Sequence, residues 1–257
     1  MEVHHHPQLH HQPKPWKEYL LEGLMIFIAV TMGFFAESLR EYFSDREKEK
    51  QSIESVLRCL KTDTAKLNSI IAGNILQVKF IDSLLALKGK NLHDSLTNHQ
   101  FYFYATNGLF VDVYFKSNDA AMQQLKSSGM LRLIRKQKII DQLLQYEIDS
   151  RDLKSQQDDH YLYAQKSWSA LDQVIDESSF MDSSKFNLSE YNYDNQTFRY
   201  SDPETSYITD DPKLIRLLFS NAATLGVITK LYISLLKGQQ EEAKSIISSL
   251  NAEYHYE

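Results

Sequence analysis

The sequence predicts an all-α protein with one apolar helix near the amino end and a body of long helices after it. Apolar residues recur at steps of three and four through residues 53–85, 143–175 and 214–236, which is the spacing of one face of an α-helix. The segment between Glu22 and Glu37 is uncharged and has no polar face, whereas a helix lying on a soluble core carries a polar stripe. These observations predict a single N-terminal transmembrane helix followed by a long-helix antiparallel bundle with a coiled-coil-like body.

The composition excludes several classes of protein. The chain has 257 residues, of which 42% are hydrophobic, and only 8 Gly and 5 Pro, so it is neither a disordered nor a collagen-like polymer. Its formal net charge of −6 lacks the basic excess of a nucleic-acid binder, so no nucleic acid partner is expected. The single cysteine, Cys59, excludes an internal disulfide and a thiolate metal site built from one chain. It is predicted to be a small buried thiol.

Residues 1–15 are predicted to form a mobile tail. They contain a group of histidines interspersed with prolines, and proline prevents a regular helix. Clustered imidazoles can hold a divalent metal, but on a flexible chain they seldom converge on one ion without further contacts that orient the rings. The sequence therefore favours no specific metal site here, although metal binding stays open. The histidines are His4, His5, His6, His10 and His11.

Residues 16–43 are predicted to be the membrane anchor. The uncharged window of residues 23–36 covers ~21 Å as a helix, less than the ~30 Å of a hydrocarbon core. Aromatic residues flank this window, and a helix from Trp16 to Tyr42 measures about 39 Å, which matches a bilayer with its headgroups. The side chains expected to contact lipid are Trp16, Tyr19, Leu20, Leu24, Ile26, Phe27, Ile28, Val30, Phe34, Phe35 and Tyr42.

Two other interpretations of the apolar segment stay open. A signal peptide is disfavoured, because Phe34-Phe35-Ala36 lacks the small residue that a cleavage site carries three positions before the cut. A helix buried in a soluble core is the other alternative, since apolar windows of this length also occur there.

Three segments of the chain stand out, MEVHHHPQLHH, WKEYLLEGLMIFIAVTMGFFAESLREYF and the later LKSSGMLRLI. They resemble a family of uncharacterised bacterial proteins with a short histidine-bearing head, one membrane span and a helical body. The resemblance is strongest over residues 1–50 and 118–146. It implies a single-pass protein of the bacterial inner membrane, and it implies no reaction, substrate or catalytic residue.

Two arguments about orientation oppose each other. Basic residues are fewer before the apolar segment, at Lys14 and Lys17, than after it, which favours a cytoplasmic body. A short head followed by an apolar segment and a long body is instead typical of a signal anchor, and the resemblance agrees. The sequence therefore favours a periplasmic body. The basic residues after the segment are Arg40, Arg46, Lys48 and Lys50.

The helical body is assigned to residues 44–177. No proline interrupts residues 16–88, so the anchor is predicted to continue directly into the first body helix. The long helical pattern of residues 143–175 is expected to lie antiparallel to that helix, because two such helices then cover each other's apolar stripes. Asp63 and Asn74 interrupt the first stripe, either to fix a register or as a solvated layer.

An aromatic connector is assigned to residues 89–117. Its rings are concentrated between Phe101 and Phe115, where a short helix and turn packed across the bundle are predicted. Core packing is favoured over a ligand or partner patch, since clustered aromatic side chains are first of all large apolar groups. Asn118 or Asp119 is then expected to cap a helix that Gly129 follows in a left-handed conformation.

Residues 178–211 lose periodicity and form a polar loop rich in tyrosine. Loops of this length are uncommon in compact domains and are often functional. Exposed aromatic rings among Asn and Ser suit a partner contact, and packing of the same rings onto the bundle is an equal alternative. The possible contact residues are Tyr191, Tyr193, Phe198, Tyr200 and Tyr207.

Residues 212–257 are assigned to C-terminal helices that pack on the body. Asp211 followed by Pro212 is a strong helix start, because an aspartate caps the first turn and proline fits the first helical position. The apolar stripe is expected to end at Gly238, and a further helix is expected from Gln239 to Glu253.

No motif of a known reaction occurs in the sequence, and no cofactor is predicted. Asp158, Asp159 and His160 are consecutive, so on a helix they point to different sides and do not form a site. The sequence therefore favours a membrane-anchored helical scaffold or interaction protein without catalytic activity, which contacts the lipid bilayer and either forms homo-oligomers or docks a membrane protein partner. The alternative is a membrane-tethered sensor that binds a small ligand in an aromatic-lined helical pocket.

Overall fold

A computed structural model of the protein describes residues 15–110, 114–176, 191–192, 197–198 and 208–255. The chain divides into two compact units, Met1–Lys50 and Gln51–Glu257. The described residues are helical, apart from turns, short extended stretches and one pair of two-residue strands, so the predicted all-α class is confirmed. The elements are α1 (Trp16–Leu85), α2 (Ser95–Leu109), α3 (Ala120–Ser127), a 3-10 turn (Met130–Leu133), α4 (Gln137–Leu171), β1 (Tyr191–Asn192), β2 (Thr197–Phe198) and α5 (Pro212–Tyr254).

The first helix, α1, includes both the apolar segment and the first body helix of the sequence prediction. It is assigned without interruption from Trp16 to Leu85, as the absence of proline predicts. It ends four residues before Gly89, the first residue of the predicted connector. Gly89 instead takes a left-handed conformation, with φ +83°, in the turn that follows.

Two helix boundaries follow the capping chemistry expected from sequence. Asp211 accepts a hydrogen bond from the Lys213 amide over 2.8 Å at the start of α5, and Pro212 occupies the first turn. Gly129 follows α3 in a left-handed conformation, with φ +70°. The predicted short helix in the aromatic connector is α2, which begins earlier than expected because Asp94 caps it and accepts from the Thr97 amide.

The carboxyl-terminal part departs from the prediction of two helices. Residues 212–254 form the single helix α5, and Gly238 lies in its interior. A glycine inside a helix costs only about 1 kcal/mol relative to alanine, which packing on both sides of it easily outweighs. Leu236 and Ala243, one on each side of Gly238, are both fully buried.

Helices α4 and α5 run in opposite directions and are joined by hydrogen bonds along their length. Gln239 donates to the Tyr146 carbonyl over 3.2 Å, and Asn221 donates to the Lys166 carbonyl over 3.1 Å. Low numbers in α4 therefore meet high numbers in α5. The segment 51–85 of α1 is also antiparallel to α5, since Gln240 bonds to Asn68 whereas Lys230 bonds to Asp82.

The expected antiparallel pairing of the first body helix with residues 143–175 is wrong, because these two segments run in the same direction. Three apolar clusters, named by their first residue, show this order. Residues 86–136 separate the two segments, so a hairpin is not required. The Ile53 cluster joins residues 53–60, 139–146 and 243–250; the Leu67 cluster joins 67–78, 153 and 232–236; the Ile81 cluster joins 81–84, 164–171 and 218–225.

The chain on either side of residues 177–207 is held together. Ile175 and Ile208 form an isolated antiparallel bridge, and the Thr209 amide donates to the Val174 carbonyl over 2.9 Å. Both isoleucines are buried in the Ile81 cluster. The two strands of chain that lead into and out of the predicted polar loop are therefore joined in the body.

Candidate functional site

The predicted anchor side chains are all exposed. Ile26, Ile28 and Phe34 expose 66%, 50% and 72% of their surface. These residues belong to the 70-residue helix α1, and no residue of its most apolar 18-residue window is buried. In the part of the chain that the structure describes, two helices, α1 and α5, are long and apolar enough to cross a membrane, although a third of the corresponding window of α5 is buried in the body. The other exposed anchor residues are Trp16, Tyr19, Leu20, Leu24, Phe27, Val30, Phe35 and Tyr42.

Most of the predicted partner residues of the polar loop lie outside the described part of the chain. Tyr193, Tyr200 and Tyr207 belong to this group, as do the histidines of residues 1–14. Only the backbones of Tyr191 and Phe198 are described, and they pair with each other across β1 and β2. The prediction that these five side chains contact a partner stays a prediction.

The aromatic connector divides into a core part and a cavity part. Phe101 and Tyr102 are fully buried in the Ile81 cluster, as the favoured interpretation predicts. Phe110 stacks on Trp168, whose indole nitrogen donates to the Leu109 carbonyl. The last two rings, Tyr114 and Phe115, instead line a cavity.

The cavity has a volume of about 640 Å³ and lies within the second unit. Its walls are α1, the extended segment 114–119, α3 and α4. This volume is in the range of small-molecule sites, ~300–1,000 Å³. Its apolar wall includes Val56, Leu60, Met122 and Leu143.

Asp63 is a buried residue of the cavity lining. It exposes only 1% of its surface, and its carboxylate accepts three hydrogen bonds. Oδ1 accepts from the Asn118 amide over 2.8 Å. Oδ2 accepts from the Ser117 hydroxyl over 2.7 Å and from the Tyr146 hydroxyl over 3.0 Å. These bonds attach the extended segment and α4 to α1, and they account for a polar residue in the apolar seam.

Tyr146 is held in its protonated form. Burial and the neighbouring Asp63 carboxylate raise the pKa of Tyr146 above its ordinary value, because both disfavour a phenolate. Its hydroxyl therefore donates to Asp63. The Gln239 side chain bonds to the Tyr146 carbonyl and to the Ser150 hydroxyl, which connects α5 to the same group of residues.

A second polar group surrounds His160, which is fully buried. The Thr229 hydroxyl donates to the Leu225 carbonyl over 2.8 Å, so it accepts from His160 Nε2 over 3.0 Å. The Tyr114 hydroxyl lies 3.4 Å from His160 Nδ1. This contact suits a neutral imidazole with its proton on Nε2. Burial lowers the pKa of His160 to about 4, because a charged ring has no water around it.

The extended segment is also fastened to α4 and α5 through Tyr232. The Phe115 amide and the Gln157 side chain both donate to the Tyr232 hydroxyl, over 3.1 Å and 2.8 Å. Gln157 also donates to the Phe115 carbonyl over 2.5 Å. Burial raises the pKa of Tyr232 to about 12, so this hydroxyl stays protonated.

The cavity lining includes three basic side chains. Lys116, Arg151 and Lys154 line it and are exposed. Within the described residues none of them forms an ion pair. The acidic Glu147 lines the cavity as well, but Lys126 neutralises it over 2.7 Å.

Two further residues singled out from sequence are placed by the structure. Cys59 is half-buried and lines the cavity, so the prediction of a buried thiol is wrong. It lies at the edge of the apolar seam, where one side of the residue meets the cavity. Asp158 and Asp159 are exposed whereas His160 is buried, so the three side chains do not face one another, as their consecutive positions predict.

Sequence reasoning did not identify Ser117, Asn118, Tyr146, Arg151 or Lys154 as parts of a site. Asp63 was the available signal, since an ionisable residue in an apolar seam requires polar partners. The partners lie on an extended segment and on a distant helix, which no local pattern connects with Asp63. Comparison with protein-family models, with curated proteins and with solved structures gives no match for this chain.

Proposed function

We propose that this chain is a membrane-anchored helical scaffold or interaction protein without catalytic activity. The observation that carries the proposal is the exposure of an apolar stretch long enough for a membrane helix. Exposing so many large apolar side chains to water is unfavourable, at ~25 cal/mol for each Å², and insertion into lipid removes this cost. Trp16 and Tyr42 then lie at the two membrane interfaces.

The anchor is the single span, and α5 belongs to the body. α5 is apolar enough to be a second candidate, but it contributes buried residues to all three apolar clusters. It also bonds to α1 through Lys230 and Gln240. A helix with these contacts is the core helix of a long-helix, coiled-coil-like bundle.

The proposed location is the bacterial inner membrane, with the body in the periplasm. Fusions of alkaline phosphatase and of green fluorescent protein to the end of α5 test the orientation, because the phosphatase is active outside the cytoplasm and the fluorescent protein is active inside it. An active phosphatase fusion and a dark fluorescent fusion are expected. The opposite pair of results would place the body in the cytoplasm.

Deletion of residues 20–35 tests the anchor. The shortened chain is expected in the soluble fraction after cell lysis, whereas the full chain stays with membranes after a carbonate wash. Retention of the shortened chain in membranes would overturn the assignment of this segment.

The interaction role implies a second copy or a membrane protein partner. Exposed apolar residues on α5 at Val227, Leu231 and Leu235 support such an association, since apolar side chains in a row on one helix face are typical of contact surfaces. Affinity purification in mild detergent with native mass measurement tests it. An oligomer or a stoichiometric companion is expected, and a monomer without companion would overturn the scaffold role.

The cavity favours a second function, a membrane-tethered sensor whose body binds a small ligand. It is bordered by three helices and the segment 114–119, and it combines apolar walls with a few polar groups, as ligand sites do. Native mass spectrometry of gently purified full chain tests this function. A bound compound below about 600 Da is expected in a cavity of this size, and its absence in every preparation would count against a sensor.

A further inference from the structure

The cavity of the second unit, about 640 Å³ in volume, combines apolar walls with basic side chains. The basic residues are exposed, and none of them forms an ion pair with another described residue. Unpaired cations beside an apolar volume are the complement of a ligand that has a negative charge and an apolar part. These residues are Lys116, Arg151 and Lys154.

The extended segment passes α4 between Gln157 and Tyr146. Gln157 donates to the Phe115 carbonyl over 2.5 Å. Two residues further along the segment, Ser117 donates over 2.7 Å to Oδ2 of Asp63, the same oxygen that accepts from the Tyr146 hydroxyl. The segment and α4 therefore run in opposite directions where they meet.

This arrangement brings the three basic side chains together. Lys116 lies between Phe115 and Ser117, the two residues of the segment that make these bonds. Phe115 is buried whereas Lys116 is exposed, as the alternation of an extended chain predicts. Arg151 and Lys154 lie on the stretch of α4 that the segment passes, and their spacing of three residues places them on one side of the helix. The three long side chains can therefore reach one group of a ligand.

The acidic residues of the lining do not cancel these charges. Glu147 is paired with Lys126 over 2.7 Å, and Asp119 is exposed at the start of α3. Asp63 is only 1% exposed, and three neutral donors already occupy its carboxylate. Because this buried carboxylate still repels anions, a ligand with one negative charge is favoured over a doubly charged phosphate ester.

We propose that the cavity binds a small organic monocarboxylate, with its carboxylate on the basic side chains and its apolar part against the apolar lining. Arg151 can bind the carboxylate with two parallel hydrogen bonds, whereas Lys116 and Lys154 act as point charges. This inference rests on the proposal that the body is a sensor, and it adds the chemical class of the ligand. The apolar lining includes Val56, Leu60, Met122 and Leu143.

The test compares probes that share a phenyl ring and a four-carbon chain. 4-Phenylbutyrate ends in a carboxylate, 4-phenylbutan-1-ol in a neutral hydroxyl and 4-phenylbutylamine in an ammonium group. Acetate has the carboxylate without the apolar part. Saturation-transfer difference NMR measures the Kd of each probe for the full chain in lipid nanodiscs. Empty nanodiscs give the signal of probe dissolved in lipid, which is subtracted.

4-Phenylbutyrate is expected to bind at least about tenfold more tightly than the alcohol, the amine or acetate, because hydrogen bonds between charged groups are roughly twice as strong as neutral ones. Equal or tighter binding of the alcohol or the amine would overturn the assignment of an anion site. Equal binding of acetate would overturn the role of the apolar lining. So would the absence of 4-phenylbutyrate binding at about 10 mM, a concentration that reaches even weak sites, overturn the whole proposal.

Variants locate the carboxylate. Arg151→Gln and Lys154→Gln are each expected to weaken 4-phenylbutyrate about fivefold or more and to leave the alcohol unchanged. Both residues are exposed, so the variants should fold, which circular dichroism checks. Lys138→Gln, at an exposed lysine of α4 outside the cavity lining, is the matched control and should change neither affinity. Unchanged 4-phenylbutyrate affinity in both cavity variants, or an equal loss in the control, would overturn the proposal.

The outcome is distinct from that of the sensor proposal. Native mass spectrometry, the test of the sensor, detects a bound compound of any charge. A bound compound that lacks a carboxylate would keep the sensor and overturn the monocarboxylate. A bound carboxylate that is lost in Arg151→Gln would support both.

Discussion

The Tyr146 hydroxyl donates to Asp63 Oδ2 over 3.0 Å, and this bond joins α4 to α1 in the interior of the body. The same carboxylate receives Ser117 and Asn118 from the extended segment. One buried side chain therefore holds three parts of the chain together, at positions far apart in sequence.

Removal of this carboxylate should destabilise the body strongly. Asp63→Ala leaves the donors of Ser117, Asn118 and Tyr146 without an acceptor, and each unsatisfied buried group costs roughly 1–3 kcal/mol. The free energy of unfolding, measured with urea and circular dichroism, is expected to fall by about 3 kcal/mol or more. Asp152→Ala, at an exposed position of α4, is the control and should change it by less than about 0.5 kcal/mol. Similar losses in both variants would contradict the prediction.

His160 should make the body less stable in mild acid. Its folded pKa of about 4 is lower than the unfolded value of 6.5, so the unfolded chain binds the extra proton first as the pH falls. Stability is therefore lost between about pH 6.5 and 4, by up to about 3 kcal/mol. In His160→Gln the free energy of unfolding should not show this loss between pH 7 and pH 4.5. An unchanged pH profile in the variant would argue against a buried neutral imidazole.

Glu242 should affect the pH dependence of stability in the opposite direction to His160, because its contribution is lost as the pH rises. Burial raises its pKa to about 7, and the neighbouring Asp149 carboxylate acts in the same direction, because it accepts a hydrogen bond from the protonated Glu242 and repels the charged form. The folded state therefore favours the protonated acid. This contribution is present below about pH 4.5 and is lost as the pH rises through about 7. Glu242→Gln should therefore raise the melting temperature at pH 8 and have little effect at pH 5. Glu241→Gln, one residue away on the exposed face, should show no such pH dependence.

Two glycines of α5 should respond to alanine with opposite signs. A Cβ at Gly226 would lie 3.1 Å from Cγ2 of the fully buried Ile81, whereas a Cβ at Gly238 meets nothing within 4 Å. Gly238→Ala should stabilise the protein by about 0.5–1 kcal/mol through helix propensity. Gly226→Ala should lose that gain to the close contact and become destabilising. Equal melting temperatures for the two variants would contradict this account.

A charge inside the apolar segment should weaken membrane insertion. Arginine at the centre of a membrane helix costs roughly 3 kcal/mol on insertion scales. Ile28→Arg is therefore expected to shift part of the chain to the soluble or aggregated fraction. Ser38→Arg lies outside the uncharged window and should leave the distribution unchanged. Equal membrane fractions of Ile28→Arg and of the unsubstituted chain would indicate that the segment does not cross a bilayer.

Local signals in the sequence predicted several structural details well. Asp211 and Pro212 start a helix where their chemistry requires it, and Gly129 takes a left-handed conformation after α3. These features depend on a few adjacent residues, so a local reading suffices. The predicted helix end at Gly238 was wrong. Low helix propensity is a property of this one residue, whereas α5 continues past it because of packing against other helices.

The candidate site was beyond local prediction. Asp63 was visible as a polar residue in an apolar seam, but its donors come from Ser117, Asn118 and Tyr146. Bringing them together depends on α4 running parallel to α1, and periodicity gives the faces of helices without giving their direction. The rings of the aromatic connector were predicted as one cluster. In the structure α2 ends at Leu109, and the last two rings, Tyr114 and Phe115, lie beyond it and line the cavity.

The order of elements along the chain has a consequence for synthesis on the ribosome. Every apolar cluster of the body includes residues of α5, which follows all the other described helices in sequence. While α5 is still inside the exit tunnel, the Ile53, Leu67 and Ile81 clusters each lack one wall. The nascent body therefore exposes these apolar surfaces until α5 has emerged from the tunnel, and during this time it is a client for chaperones.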